Sequence, residues 1–341
     1  MNSNVNIESY FNFKNSDSYI FSSAKFLFKN VYLKNTFNYT KKKISISCED
    51  TLNNPNYIGY YISMIENKNL IIEKNGQHPD FLIYDVFGCE HLNEKYNDSV
   101  KIAFYSENII PDFSQADYSL SQAHIIYLDR YFRYPSFIYR LKQFLKYKVK
   151  TIGTFAQKMN KIKFCAAVIT SNFKTLRLEF IKQLNKYKHV DMGGGYLNDV
   201  GGKVKDKIKF LSSYKFSFAM ENSNGDGYIS EKIIDSLIAG TIPIYYGSYL
   251  IDEYINPKVY ILIKGEKDIE SKIEYIKKID NDYELYNSIL NEKIFINEQY
   301  TDIIRKTENE KKIFLKNIFS QNKNQAKRID DNVNNIFNCQ L

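Results

Sequence analysis

From Ile44 onward, short apolar runs alternate with longer stretches in which apolar residues recur three and four positions apart. This pattern predicts strands at 44–48, 70–72, 81–84 and 101–105, with a helix around 57–66. Tyr134-Pro135 and the amphipathic stretch 137–147 read as a crossover into a second series. That series comprises a strand at 163–169, a helix at 176–187, the unit 214–248, a strand at 257–263, and helices at 269–279 and 282–295. Strands alternating with helices imply a parallel α/β sheet, and two such series imply two Rossmann-like domains in tandem. The expected divisions are 1–42, an extension with no assignable pattern; 43–150; 151–310; and a helical tail, 311–341.

The unit 214–248 is the densest in chemistry. Phe216, Phe218 and Met220 alternate on a strand, and Glu221, Asn222 and Ser223 follow at its carboxyl end, where open α/β sheets hold ligands. Gly225 and Gly227 let the chain turn, and Ser230 suits the N-cap of a helix with Ile233, Ile234, Leu237 and Ile238 on one face. Glu231 and Lys232 then fall in the first helical turn, beside the mouth of the site. Gly240 stops the helix, and 242–246 reads as the next buried strand. A strand, a glycine-bearing polar loop and a helix in this order suit a phosphate group.

Tyr214-Lys215-Phe216, Glu221-Asn222-Ser223, Gly227-Tyr228, Glu231-Lys232-Ile233 and Ala239-Gly240 through Ser248 resemble the signature of the family 10 glycosyltransferases. These are α1,3/α1,4-fucosyltransferases that use GDP-fucose. Two positions depart from the pattern, Ser230 for the usual Thr and Tyr246 for the usual Trp, and both keep its chemical character. The resemblance covers residues 100–260 well and the rest weakly. It implies a GT-B architecture, two Rossmann-like domains whose parallel sheets face across a cleft, with 43–150 binding the acceptor and 151–310 binding GDP-fucose. Bacterial and viral members often lack a membrane anchor.

The resemblance also implies roles. Phe104-Tyr105-Ser106-Glu107-Asn108 is similar to a bacterial Y-x-G-E-N segment, which makes Glu107 the expected base in a single inverting displacement; taken alone, a glutamate at a strand end is a solvated loop residue. Ile169-Thr170-Ser171-Asn172 followed by Arg177 resembles a segment whose arginine pairs with the GDP diphosphate, and Lys232 is the second expected cation. Asn222 and Glu231 are expected on the ribose or nucleotide, and Tyr228 on a phosphate or the fucose. Glu221 either orients Lys232 or the fucose, or satisfies backbone groups at the strand end. Gly193-Gly194-Gly195 and Gly201-Gly202-Lys203 match glycine-rich family segments; Gly194 either lets the backbone approach the nucleotide or lies in a flexible loop. Asp129 through Pro135 resembles D-R-Y-x-R-x-P, with a structural role.

Composition narrows these readings. Forty-four per cent hydrophobic content over 341 residues is enough for two cores. The 29 Tyr and 24 Phe, with abundant Asn, Lys and Ile, fit coding bias better than a nucleic-acid stacking platform. A net charge of +8 suits an anionic nucleotide sugar, an anionic membrane surface or RNA. Cys48, Cys89, Cys165 and Cys339 lack metal spacing and read as reduced, mostly buried thiols in a cytoplasmic protein. No run approaches a membrane span. The basic stretch from Lys311 to Phe319 either packs on its own domain or touches a membrane surface peripherally. Asp280-Asn281-Asp282 fits a metal-binding DxD, but it lies between two helices far from the signature, and His78, His91, His124 and His189 lack ligand spacing, so no metal or cofactor is expected. Three alternatives stay open at this point: a GT-B transferase for another nucleotide sugar, a catalytically silent nucleotide- or glycan-binding protein, and a basic RNA-binding module. The acceptor glycan expected from the family is GlcNAc O3 of N-acetyllactosamine.

Overall fold

The computed structural model describes the backbone of strands β1 (Ile44–Glu49) and β2 (Leu70–Glu73) and, with side chains, residues 77–156, 161–170, 176–296 and 300–329. The extension 1–42, the helix expected at 57–66, and Ser171 and Asn172 lie outside the described residues.

The first sheet continues with β3 (Phe81–Tyr84), β4 (Val100–Phe104), β5 (Tyr118–Ser121) and β6 (Tyr131–Arg133), in the order β2-β1-β3-β4-β5-β6. The second contains β7 (Lys163–Ala167), β8 (Val190–Met192), β9 (Tyr214–Met220), β10 (Ile242–Tyr246) and β11 (Ile261–Leu262), in the order β11-β10-β9-β7-β8. Every pairing in both sheets is parallel. Parallel strands need helical crossovers that cover both faces, so their sequences read as continuous apolar runs. All of β3 and β5 is buried accordingly. Ser217, on the polar phase of β9, is buried too and shares its hydroxyl hydrogen bonds with Ser236 and Thr241. The described helices are α1 (Phe137–Tyr147), α2 (Ile152–Ala156), α3 (Leu176–Leu184), α4 (Lys207–Leu211), α5 (Lys232–Ile238), α6 (Ile269–Asn281), α7 (Tyr283–Asn291), α8 (Tyr300–Ser320) and α9 (Lys323–Ala326).

Three strands escaped the apolar pattern: β5, β6 and β8. The first, Tyr-Ser-Leu-Ser, is buried throughout although three of its four side chains carry hydroxyls; Ser121 Oγ bonds across to Tyr131 Oη at 3.1 Å, while Tyr118 Oη and Ser119 Oγ find no hydrogen-bond partner among the described residues. The strand expected over 257–263 is mostly a 3-10 turn at Pro257–Val259, because Asn256 caps it through Lys258 N and Pro257 has no N–H to give a sheet. The helix expected over 282–295 ends at Asn291.

The tail also departs from expectation. Helix α8 begins at Tyr300 and returns to the first sheet, where Phe314 meets Tyr118 and Phe132 and the Phe319 ring lies 4.9 Å from that of Phe81. Lys311 is buried beside Glu308 at 2.7 Å, and Arg328 beyond the helix pairs with Asp129 at 2.9 Å. The apolar face between Lys311 and Phe319 is therefore used internally, the packing on its own protein that was one of the two readings of this stretch. No helix among the described residues is long and apolar enough to cross a membrane. Among the described residues, Cys165 is buried in β7 and Cys89 is exposed; the side chains of Cys48 and Cys339 lie outside them.

The carboxyl ends of both sheets meet at one seam. Asn108 Nδ2 donates to Ser223 Oγ at 2.8 Å, His124 N to Asp226 O at 2.8 Å, and Phe137 N to Ile229 O at 3.3 Å. Arg133 donates to Gly227 O and to Tyr254 Oη, so the Asp129–Pro135 segment brackets the two lobes, the structural role expected of it. Gly227 sits at φ +92°, where a side chain is strained, and an added Cβ would lie 2.4 Å from Gln122 O and 2.9 Å from His124 N. Gly265 has open space around the same position and an extended φ. Gly227→Ala should therefore lower unfolding stability by about 2 kcal/mol or more in denaturant titrations, whereas Gly265→Ala should stay within about 0.5 kcal/mol.

Candidate active site

Sheet order places a switch point between β7 and β9, where one crossover goes outward to β8 and the next to β10. Ligands of open α/β sheets lie outside the carboxyl ends of the strands at such a point. The loops leaving β7 and β9 meet there: Arg177, early in α3, donates through Nη1 to Asn222 Oδ1 at 3.2 Å. Arg177 is only 4% exposed. Its Nε and Nη2, which share one edge of the guanidinium plane, have no hydrogen-bond partner among the described residues. Two buried donors without partners cost about 1–3 kcal/mol each, and a bidentate anion matches the spacing of that edge. Burial pulls the guanidinium below its ordinary value, opposed by the Glu221 carboxylate.

Glu221 is the first residue beyond β9, and its side chain is fully buried. Three donors converge on its two oxygens: Ser230 N at 2.7 Å on Oε1, and Ser230 Oγ at 2.7 Å and Lys232 Nζ at 2.8 Å on Oε2. Burial pushes this carboxyl up, and Lys232 and Ser230 oppose it. Burial lowers Lys232 in turn, but the carboxylates of Glu221 and Glu231 outweigh it and hold the ammonium above its ordinary range. The ionised pair is the form the geometry favours. Ser230 Oγ also takes Lys232 Nζ at 3.0 Å, so its own proton points to Glu221 and no acceptor is left for a protonated carboxyl. Both readings offered for Glu221 therefore hold, since it orients Lys232 and satisfies a backbone N–H. Glu231 stands immediately before α5 without a side-chain cap bond, whereas the Ser230 hydroxyl both accepts the first helical N–H, that of Lys232, at 3.4 Å and donates to Glu221.

Lys232 Nζ spends two of its three protons on Glu221 and Ser230, which leaves one for a further oxygen. Glu231 is half-buried, 4.0 Å from Lys232; burial would raise its carboxyl, but Lys232 and Lys207 overcome this and keep it below the usual range. Asp235, one turn on, is buried against Lys207 at 3.0 Å and Arg140 at 3.5 Å.

From the opposite lobe, Glu107 follows β4, and its Oε2 accepts the Tyr228 hydroxyl at 3.3 Å. Burial first, and then the carboxylates of Glu221, Glu107 and Glu231, push the Tyr228 phenol far above its ordinary range, so it remains a neutral donor. Glu107, Tyr228, Glu221, Glu231, Lys232, Asn222 and Arg177 thus gather around one seam, as the signature implied. At Gly194 a Cβ would lie 1.8 Å from Ile169 O, so the backbone that follows β7 leaves no room for a side chain there. Asp280 pairs with Lys215 at 2.8 Å and also with Lys188, while Asp282 caps α7 through Leu285 N. The aspartates of the DxD are thus taken up by structural contacts. Gln122 and Tyr254, which join the lobes, carried no signal in the sequence beyond lying near an apolar run.

Residues 156–331 match the model of glycosyltransferase family 10 (fucosyltransferase), C-terminal part, and residues 57–140 match the N-terminal domain of alpha-(1,3)-fucosyltransferase FucT. The chain is 29% identical over 263 residues to the alpha-(1,3)-fucosyltransferase FucT of Helicobacter pylori, covering 68% of this chain and 54% of that protein. It is 35% identical over 180 residues to a putative fucosyltransferase, R654, of Acanthamoeba polyphaga mimivirus, covering 49% of this chain and 29% of that one. The chain thus spans about half the length, or less, of these curated relatives. A crystal structure of an α1,3-fucosyltransferase with GDP-fucose superposes with a TM-score of 0.62 at 22% identity, over 82% of this chain and 94% of that one, a likeness of fold. The fold is the GT-B arrangement expected of two facing parallel sheets. Matched by the family model over more than half of its length, the chain belongs to glycosyltransferase family 10, the fucosyltransferase family.

Proposed function

We propose that the protein is an inverting fucosyltransferase that moves L-fucose from GDP-β-L-fucose to a glycan hydroxyl, GlcNAc O3 of N-acetyllactosamine being the expected acceptor. The observation that carries this reading is the buried edge of Arg177, which has no partner among the described residues and is set in the lobe opposite the Glu107 carboxylate. Family membership supports the choice of donor, as does the GDP-fucose bound by the superposed α1,3-fucosyltransferase. Residues 43–150 would hold the acceptor and 151–310 the donor.

In one displacement, the acceptor oxygen attacks the anomeric carbon as the bond to the β-phosphate oxygen of GDP breaks. The acceptor proton passes to Glu107, and GDP leaves with the bonding electrons. The Arg177 edge and the free Lys232 proton meet the charge that grows on the diphosphate; such preorganised donors contribute about 3 kcal/mol each. Asn222, held by Arg177, and Glu231, held ionised by Lys232 and Lys207, would meet the ribose hydroxyls or another part of the nucleotide. The Tyr228 hydroxyl fixes the Glu107 carboxylate and stays neutral while doing so.

Release of GDP from GDP-fucose and GDP-mannose, assayed with N-acetyllactosamine and a panel of β-galactosides, tests this. Acceptor-dependent release specific to fucose should fall at least about a hundredfold in Glu107→Gln; equal turnover of both donors, or an unimpaired Glu107→Gln enzyme, would refute the donor or the base respectively. Lys232→Met gives a second test. Without its counter-ion, Glu221 is left with burial opposed only by the two Ser230 hydrogen bonds, and its folded pKa moves further above the unfolded value. A carboxyl so raised contributes stability only below its unfolded pKa and loses it as pH rises through the folded one. The stability gap between Lys232→Met and wild type should widen from pH 5 to pH 8, toward about 3–5 kcal/mol; a gap that is constant or narrows with pH would show that Glu221 does not depend on Lys232.

A further inference from the structure

Glu107 lies on a loop that leaves the first sheet early. The last ladder bond on its strand is Tyr105 N to Leu120 O at 2.9 Å, and beyond it Ile109 N turns back on Glu107 O at 2.9 Å. Between these points, the Ser106 carbonyl receives the side-chain amide of Gln122. Gln122 is fully buried, just past β5. Its Oε1 accepts from Ser136 N at 3.1 Å and from Ser136 Oγ at 3.3 Å, at the start of α1. The orientation of the amide is dictated by its neighbours, because a flip would set its NH2 against the Ser136 N–H and its oxygen against the Ser106 carbonyl.

The same residue reaches the other lobe. Gln122 O accepts from Arg133 Nε at 3.4 Å and lies under Gly227, the turn that leads to Tyr228. The single Ser136 hydroxyl proton lies between Gln122 Oε1 and Ile229 O, the latter at 3.4 Å, and Phe137 N donates to the same Ile229 O at 3.3 Å. One buried amide therefore ties the backbone next to Glu107 to the helix start that meets the donor-side loop. The Glu107 side chain itself is contacted by the Tyr228 hydroxyl from that loop.

We infer that Gln122 is a positioning residue, which sets the reach of Glu107 across the seam by holding the Ser106 carbonyl; this rests on the proposed role of Glu107 as base. Displacement of a reacting group by about 1 Å costs on the order of a hundredfold in rate, so a side chain that never touches substrate can govern kcat. Its effect should run through Glu107 and spare donor binding, whose groups lie on the second sheet.

The test is a double-mutant cycle on acceptor-dependent GDP release, with kcat and the KM for GDP-fucose measured for wild type, Gln122→Met, Glu107→Gln and the double variant. Gln122→Met, similar in volume but without the amide, should lower kcat by about ten- to a hundredfold and change KM by less than about twofold. In the Glu107→Gln background, the same change should cost less than about twofold further. A Gln122→Met enzyme with wild-type kcat, a rise in KM that accounts for its loss, or an equal loss in both backgrounds would overturn the inference. If Gln122→Met does not fold, Gln122→Asn takes its place: it keeps a buried amide, but one methylene too short to span Ser106 and Ser136, and the same three outcomes decide. A wild type that transfers nothing, or a fully active Glu107→Gln, would bring down the base assignment and this inference with it; collapse of Glu107→Gln beside an unimpaired Gln122→Met would bring down this inference alone.

Discussion

A single buried carboxylate, that of Glu221, organises the second sheet's contribution to the seam. It lies at the carboxyl end of β9, where backbone and side-chain donors must be satisfied without water, and it accepts from Ser230 twice and from Lys232 once. The stretch between Glu221 and Ser230 is thereby closed into a loop. Asn222 is turned toward Arg177 at its near end, and Tyr228 toward Glu107 at its far end. Gly227 is required inside the loop because the first lobe comes within reach of any Cβ. A buried pair of this kind is weak evidence for stability, since the cost of desolvation offsets the attraction; its attested use is to enforce one arrangement.

The charges around the helix α5 sort into two groups. Glu221, Glu231 and Asp235 each have cations within about 4 Å among Lys232, Lys207 and Arg140. Arg177 has no carboxylate partner at ion-pair distance among the described residues, only Asn222. Burying a guanidinium in this state is costly unless an anion completes it. The second-sheet side of the seam thus has an internally neutral scaffold and a guanidinium with no charged partner among the described residues, whereas the first-sheet side contributes a carboxylate contacted by a neutral phenol.

The legible parts of the sequence were those where spacing and chemistry coincide. The strand–loop–helix–strand unit from Tyr214 to Ser248 stood out because parallel strands covered on both faces leave unbroken apolar runs, and the polar residues between them fall at a carboxyl end. The set of residues at the seam was legible only through the family signature, because Arg177 and Glu221 read as ordinary charges until the sheets bury them. Ser230 was only half legible, since the capping pattern shows its bond to the Lys232 N–H but not the proton it gives to the buried Glu221. Strands β5 and β6 were hidden by tyrosines, serines and an arginine that break the apolar run although the sheet buries most of them. The return of α8 to the first sheet, and the bridging by Gln122, depend on contacts between residues far apart in the chain and leave no local trace.

Calorimetric titration of GDP and of guanosine into the wild type and Arg177→Met tests most directly whether the buried guanidinium is held for a diphosphate. GDP should bind the wild type far more tightly than guanosine does. Arg177→Met should remove about 3 kcal/mol of that advantage, while guanosine affinity and thermal stability stay close to those of the wild type. A variant that keeps the full preference for GDP, or one that loses guanosine binding and stability together, would contradict a diphosphate role for Arg177.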